Sequence, residues 1–393
     1  MKRIIIALAC TATLLIAGCT GDSQFPEPTG KGGVRAINAI PGSPVVTFRI
    51  EERSLGTLSY TDSSTPDLYD DFEYNFNFDI NLPGEPQSTR IASLPVPVEV
   101  GREHVFVLTG DLLNPGVTTW TTDLRDWIGT ETLFEARFAH LAESLGAIDV
   151  YFYETSGPLP VQGEQIATLS YGDVMDAADF ENGTYVAMVT AAGDINTVYH
   201  EGTPVVFAAQ LSHLISVFDG DEDETSPYVL RSMSTEGQSI RIFDPSYPPT
   251  VRFIHGARTL PAVDIYSDET LTDLVAGNIA LGGATGDIAT VAEETTWYFT
   301  PAGSTATVLF EEGVGAPPPS TPTVLYLTGD TDLWRGVNLL QDRASVSTQA
   351  KVSLYHSAFN ADSIDLYILD RGAELTDETF PTVGRLQYGL ASG

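Results

Sequence analysis

Three histidine–aspartate pairs are the residues of this chain best placed to do chemistry. His140 and Asp149, His255 and Asp264, and His356 and Asp365 each stand nine residues apart. A histidine that titrates near neutral pH, oriented by a carboxylate, is the working part of a general acid–base centre. A nucleophile to go with it is missing: no G-x-S-x-G elbow occurs, and the two cysteines, Cys10 and Cys19, both fall in the first twenty residues. One set per copy along an array is also a poor design for a single active site. The structural alternative is concrete. In "VRFIH" the strand alternation puts Val251, Phe253 and His255 on one face and Arg252 with Ile254 on the other. A return strand after a short loop would then bring Arg252 to Asp264, and Arg137 to Asp149, as cross-strand ion pairs, with the histidine tying the loop to the sheet by a hydrogen bond. This reading makes the motif a building device and the chain no enzyme.

The elements that must position these residues repeat along the chain. "VRAINAIPGSPVVTFRI" from Val34, "ARFAHLAESLGAIDVYF" from Ala136, "VRFIHGARTLPAVDIYS" from Val251 and "VSLYHSAFNADSIDLYI" from Val352 align without gaps. The first copy has Asn38 and Thr47 where the others have His and Asp, and the fourth has Ser353 where the second and third have Arg. Starts about a hundred residues apart are too far for a solenoid unit and suit a small β domain. A second landmark keeps the register: "FVLTGDL" at 106–112, "SVFDGDE" at 216–222 and "LYLTGDT" at 325–331 each read as a strand running into a turn. The fourth copy reaches Gly393 before that landmark, as either a half-domain or a truncated reading.

Between these landmarks the pattern is strand. "FEYNFNFDINL" at 72–82 alternates at every step and sends Phe72, Tyr74, Phe76, Phe78, Ile80 and Leu82 toward a core. Short β-branched and aromatic runs sit between turns rich in the chain's 35 glycines and 24 prolines, which argues against long helices. Only 121–127 and 173–180 offer brief helical patterns. The spacing points to an all-β chain of tandem two-sheet sandwiches of the immunoglobulin-like kind. The VRF-x-H opening followed by D-h-Y resembles the domain of unknown function 4397, a bacterial extracytoplasmic module found in tandem behind a signal peptide. That resemblance covers most of the chain from Val34 and implies an immunoglobulin-like or transthyretin-like sandwich with no assigned activity.

The first residues set the compartment. "MKR" and then "IIIALACTATLLIAG" read as a signal peptide, too short for a spanning helix. Leu15, Ile16, Ala17 and Gly18 before Cys19 resemble a lipobox, so Cys19 is the expected lipidated residue and the membrane the first partner. Thr20 in the next position, by resemblance to enterobacterial sorting rules, favours the outer membrane of the cell envelope. The expected order is signal peptide 1–18, lipidated tether 19–33, a degenerate sandwich 34–133, sandwiches 134–248 and 249–349, and a partial repeat 350–393. With 19 basic against 53 acidic residues and a net charge of −34, nucleic acid is a poor partner.

No cofactor is expected, and one metal candidate stands out. Asp219, Asp221 and Asp223 alternate as calcium ligands do, but Glu224 and Leu230 fall where an EF-hand needs Gly and Glu. A solvated acidic turn explains them as well. Trp120, Trp127, Trp297 and Trp334 could stack on sugars or fill cores. The reading is a non-enzymatic envelope lipoprotein, scaffold or binding module, whose partner is an envelope protein or a glycan. A glycan- or calcium-dependent adhesin is the alternative, and an envelope hydrolase ranks below both.

Overall fold

In the computed structural model, which describes residues 27–221, 225–331, 333–376 and 378–392, the described chain forms strands and no helix. The signal peptide, Cys19 and Asp223 lie outside these residues. The first repeat has β1 (Lys31–Asn38), β2 (Val46–Ile50), β3 (Arg53–Leu58), β4 (Asp67–Asp70), β5 (Glu73–Ile80), β6 (Thr89–Pro97), β7 (Arg102–Gly110) and β8 (Pro115–Asp123). Its two sheets run β4-β1-β7-β8 and β3-β2-β5-β6. The second repeat has β9 (Leu133–Leu141), β10 (Ile148–Glu154), β11 (Ala167–Leu169), β12 (Ala178–Glu181), β13 (Gly183–Ala191), β14 (Asp194–Glu201), β15 (Val205–Phe207), β16 (Ser212–Asp219), β17 (Tyr228–Ser234) and β18 (Ser239–Ile242). These form β12-β9-β16-β17-β18 and β11-β10-β13-β14, with β15 added to β13.

The third repeat follows the same plan. It has β19 (Thr250–His255), β20 (Val263–Tyr266), β21 (Leu274–Ile279), β22 (Ile288–Ala289), β23 (Thr295–Pro301), β24 (Phe310–Val314), β25 (Pro322–Thr328) and β26 (Arg335–Leu340), in sheets β22-β19-β25-β26 and β21-β20-β23-β24. A hairpin of β27 (Ser363–Leu366) and β28 (Val383–Gln387) completes the described strands. In every full repeat the opening strand pairs in parallel with a strand some seventy residues on: β1 with β7, β9 with β16, β19 with β25.

This topology corrects the hairpin expected from the sequence. The opening strand and the one after it do not pair; β9 and β10, like β19 and β20, belong to opposite sheets. The loop between them crosses the sandwich, so the expected pairs Arg252–Asp264 and Arg137–Asp149 have no cross-strand geometry. The two brief helical patterns are also corrected: 121–123 end β8, and within 173–180 Met175 donates its N–H to the Phe138 carbonyl at 2.8 Å, just before edge strand β12. A segment of two turns cannot repay helix nucleation when a strand edge is there to bond it.

Each sandwich closes on its own core. Phe76, Phe78 and Ile80 of β5 meet Phe48 and Phe106 in the first, Tyr74 and Leu82 pack at its margin, and Phe72 stands against Tyr74. Phe134, Phe152 and Phe207 fill the second, and Phe253, Trp297 and Phe299 the third. A further core lies between repeats: Ile37, Val105, Val107 and Trp120 of the first pack on Leu141, Leu214, Phe218 and Met233 of the second. The opening sheets of repeats 1 and 2 are therefore buried on both faces, which is why β1 and β9 are buried almost end to end while β19 alternates.

Candidate functional site

The motif residues act on the backbone. His140 accepts the Ala142 N–H on Nδ1 at 3.3 Å, which leaves the proton on Nε2 to donate to the Gly146 carbonyl at 2.9 Å. His356 does the same with Ala358 and Ala361, at 3.3 and 3.0 Å, and His255 reaches the Pro261 carbonyl at 3.0 Å. In the first copy Asn38 stands in for the ring: Oδ1 accepts from Ile40 N at 3.1 Å while Nδ2 donates to Ser43 Oγ and to the Leu58 carbonyl. A side chain with one acceptor and one donor, set at the end of the opening strand, shapes the loop that carries the chain across the sandwich. Burial holds His140 below the usual imidazole range and so in its neutral form, against the opposing pull of the Gly146 bond.

The aspartates hold a second junction. Asp264 accepts from Asn278 N with Oδ1 and from Gly303 N with Oδ2, both at 2.7 Å. Asp149 accepts from Thr168 Oγ1 at 2.5 Å and from Gly193 N at 2.7 Å, and Asp365 from Arg385 N at 2.7 Å. Gly193 and Gly303 sit at φ 79° and 76°, a left-handed turn that favours glycine and aims the amide back at the carboxylate. Asp149 and Asp264 thus each clamp the next strand of their sheet and the turn after the following one.

The arginines go elsewhere than expected. Arg252 pairs with Asp287 at 3.1 Å, and Asp287 also takes Arg343 in a two-pronged bond at 2.6 and 2.7 Å. Arg137 binds Glu135 at 3.0 Å and the Asp123 carbonyl at 3.1 Å. It lies in a buried ionic cluster between repeats 1 and 2 that includes Arg35, whose guanidinium meets both oxygens of Glu103 at 3.0 and 3.1 Å. Burial, opposed by Glu103, lowers the pKa of Arg35 from its ordinary value. His213 completes the cluster, with Nδ1 on Ser232 Oγ at 3.0 Å and its ring edge-on to Phe207. Burial first, and then the charge of Arg35, push its pKa down to about 4, so the ring is neutral at physiological pH.

Arg35, Glu103, Glu135, Arg137, His213 and Trp127 line a cavity of about 230 Å³. Arg125 stacks over the Trp127 ring at 3.9 Å and binds Glu131 and Asp179. On two of these lining residues a buried polar atom, Arg35 Nη1 and His213 Nε2, has no hydrogen-bond partner among the described residues. The arrangement can hold water or a small polar solute. Sequence reasoning missed Glu103, Glu135 and His213. Their signal was a charge or a histidine inside an unbroken apolar run, as in "EHVFVL", "FEARF" and "SHLISVF".

The acidic turn is divided between two partners. Asp219 binds Ser144 through its N–H at 3.2 Å and its hydroxyl, whereas Asp221 takes the N–H of Ser345 at 2.7 Å. Among the described residues no three acids, histidines or cysteines are grouped as a metal site. Trp120 and Trp297 are buried; Trp334 packs on the third core with Nε1 on Thr259 Oγ1. A groove of about 660 Å³ beneath 349–354 is larger, but its Lys351 is already paired with Asp342 at 2.8 Å.

No protein-family model matches the chain, and no curated protein matches it. Among solved structures, the family 26 carbohydrate-binding module of Eubacterium rectale Amy13K, determined with maltoheptaose, matches 55% of this chain and 100% of its own at 15% identity, with a TM-score of 0.17. Overlap that loose carries no conclusion about the fold or a ligand.

Proposed function

We propose that this chain is a non-enzymatic lipoprotein of the cell envelope, probing or supporting its surroundings with rigid, paired β-sandwiches of the kind resembled by the domain of unknown function 4397. The observation that carries this reading is the burial of the repeated histidine: His140, His255 and His356 are 0%, 0% and 1% exposed, and their aspartates are buried in repeats 2 and 3, Asp149 at 1% and Asp264 at 8%, while Asp365 lies at the surface. A substrate cannot touch groups that are sealed inside the sandwich and already bonded to its loops, so the motif serves the fold. The adhesin alternative finds less support. Asp219 and Asp221 hold separate serines, and the Trp127 face that a sugar could use is covered by Arg125.

The anchor is tested by feeding cells a radiolabelled fatty acid. The wild-type chain takes up label and sediments with membranes, and Cys19→Ser does neither. Label retained by Cys19→Ser, or a wild-type chain that stays in the soluble fraction, contradicts the reading.

A further inference from the structure

Repeats 1 and 2 bring equivalent arginines together. Arg35 and Arg137 are the second residues of the aligned opening segments, and the sheets that carry them pack face to face. Burial lowers the pKa of Arg35, Glu103 opposes this and Arg137 adds to it, so the two guanidiniums lie within electrostatic reach of one another. The other opening segments have one arginine between them, since Arg252 aligns with Ser353, and Arg252 is taken by Asp287. The cavity of about 230 Å³ lined by Arg35 and Arg137 belongs to the first pair alone.

The lining of this cavity divides by burial. At its inner end Arg35 is 4% and His213 5% exposed, and the carboxylates there are engaged, Glu103 by Arg35 and Glu135 by Arg137. What remains is donors. Arg35 Nη1 has no partner among the described residues, and a guanidinium nitrogen can only donate. His213 Nε2 is unpartnered too, and it donates when the Ser232 hydroxyl donates to Nδ1. At the outer end stand Asp123 and Glu236, both exposed. Asp123 holds Arg102, whereas Glu236 has no ion pair among the described residues. A carboxylate can only accept.

The geometry points to a binding site for a small zwitterion of the α-amino acid kind, its carboxylate toward Arg35 and His213 and its ammonium toward Glu236. The inner end calls for an acceptor and the mouth for a donor, and one such molecule supplies both. A free anion would have to pass Asp123 and Glu236 on a chain of net charge −34, and a free cation would have to settle beside two buried guanidiniums; a zwitterion brings no net charge to either place. Arg125, stacked over Trp127 at 3.9 Å, walls one side, and the volume has room for one free amino acid. The inference goes beyond the proposed function and rests on the pairing of repeats 1 and 2, so the outcome at Cys19 leaves it standing.

The test is calorimetric titration of the full chain in detergent with glycine, L-alanine, L-serine and L-glutamine, and with acetate and ethylammonium as the two halves of the ligand. At least one amino acid should give saturable heat, with both halves at least about tenfold weaker. Glu236→Gln, on the exposed rim, keeps the fold and should weaken that binding about fivefold. Arg35→Met should weaken it at least about tenfold. Arg35 also holds Glu103, so if Arg35→Met fails to fold the rim variant decides. The proposal is overturned by no saturable heat with any of the four amino acids, by acetate or ethylammonium binding as tightly, or by unchanged binding to Glu236→Gln.

Discussion

Asp264→Ala should destabilise repeat 3 by about 2–5 kcal/mol, since each amide left without its acceptor costs roughly 1–3 kcal/mol. The carboxylate is 8% exposed and receives Asn278 N and Gly303 N at 2.7 Å each, and no other side chain stands ready to replace it. Asp264→Asn keeps one acceptor and should lose about half as much. Denaturant unfolding read from the buried Trp297 reports on this repeat directly. A loss under about 1 kcal/mol for the alanine variant would show that the clamp is incidental. Repeat 1 manages with Thr47 at this position, but there Asp79, opposite Thr47 in register, is held by Arg49 and Arg90 at 2.9 and 3.0 Å.

Acid should destabilise the folded chain through His213. Its pKa falls from 6.5 to about 4 in the folded chain, so between those values the unfolded chain binds the proton that the folded one refuses. The stability tied to the neutral ring is complete above 6.5 and is lost as the pH falls toward 4. Going from pH 7 to pH 4.5 this amounts to about 2 kcal/mol, because each pH unit between the two pKa values is worth about 1.4 kcal/mol. Other groups titrate over the same range, so the reading is a difference: the wild type should lose about 2 kcal/mol more than His213→Leu over that step. Equal losses would mean that the ring is hydrated in the folded state. The groups facing it matter to the sign. Arg35 adds to the penalty, while Phe134, Phe207 and Ser232 offer no negative charge to relieve it.

The strands were legible because their pattern is local. The alternation at 72–82 needs nothing beyond its own residues to place Phe76 and Phe78 inside, and four aligned segments reveal the repeat without reference to its fold. The partner of each strand was not legible. A connection such as 256–262 can turn back as a hairpin or cross to the other sheet, and what decides is the parallel bonding of β19 to β25, far along the chain. The arginines were therefore sent to the wrong acids, while the role of the histidine as a loop tie could be reasoned from its place at a strand end. The ionic cluster escaped for a related reason. Burial on both faces leaves a continuous apolar run, and nothing in such a run says that the second cover is the neighbouring repeat.

The central claim is that the repeated histidine shapes a loop and does no chemistry, and repeat 1 supplies its own control. The carbonyl of Leu169 stands opposite Ile148 as that of Leu58 stands opposite Val46, so an asparagine at 140 would find the acceptor that Asn38 uses. Unfolding of His140→Ala and His140→Asn in parallel is the direct measurement. Alanine should cost about 2–4 kcal/mol through its lost bonds and the space it leaves, and asparagine should restore most of that. An asparagine variant as unstable as the alanine one would contradict the account.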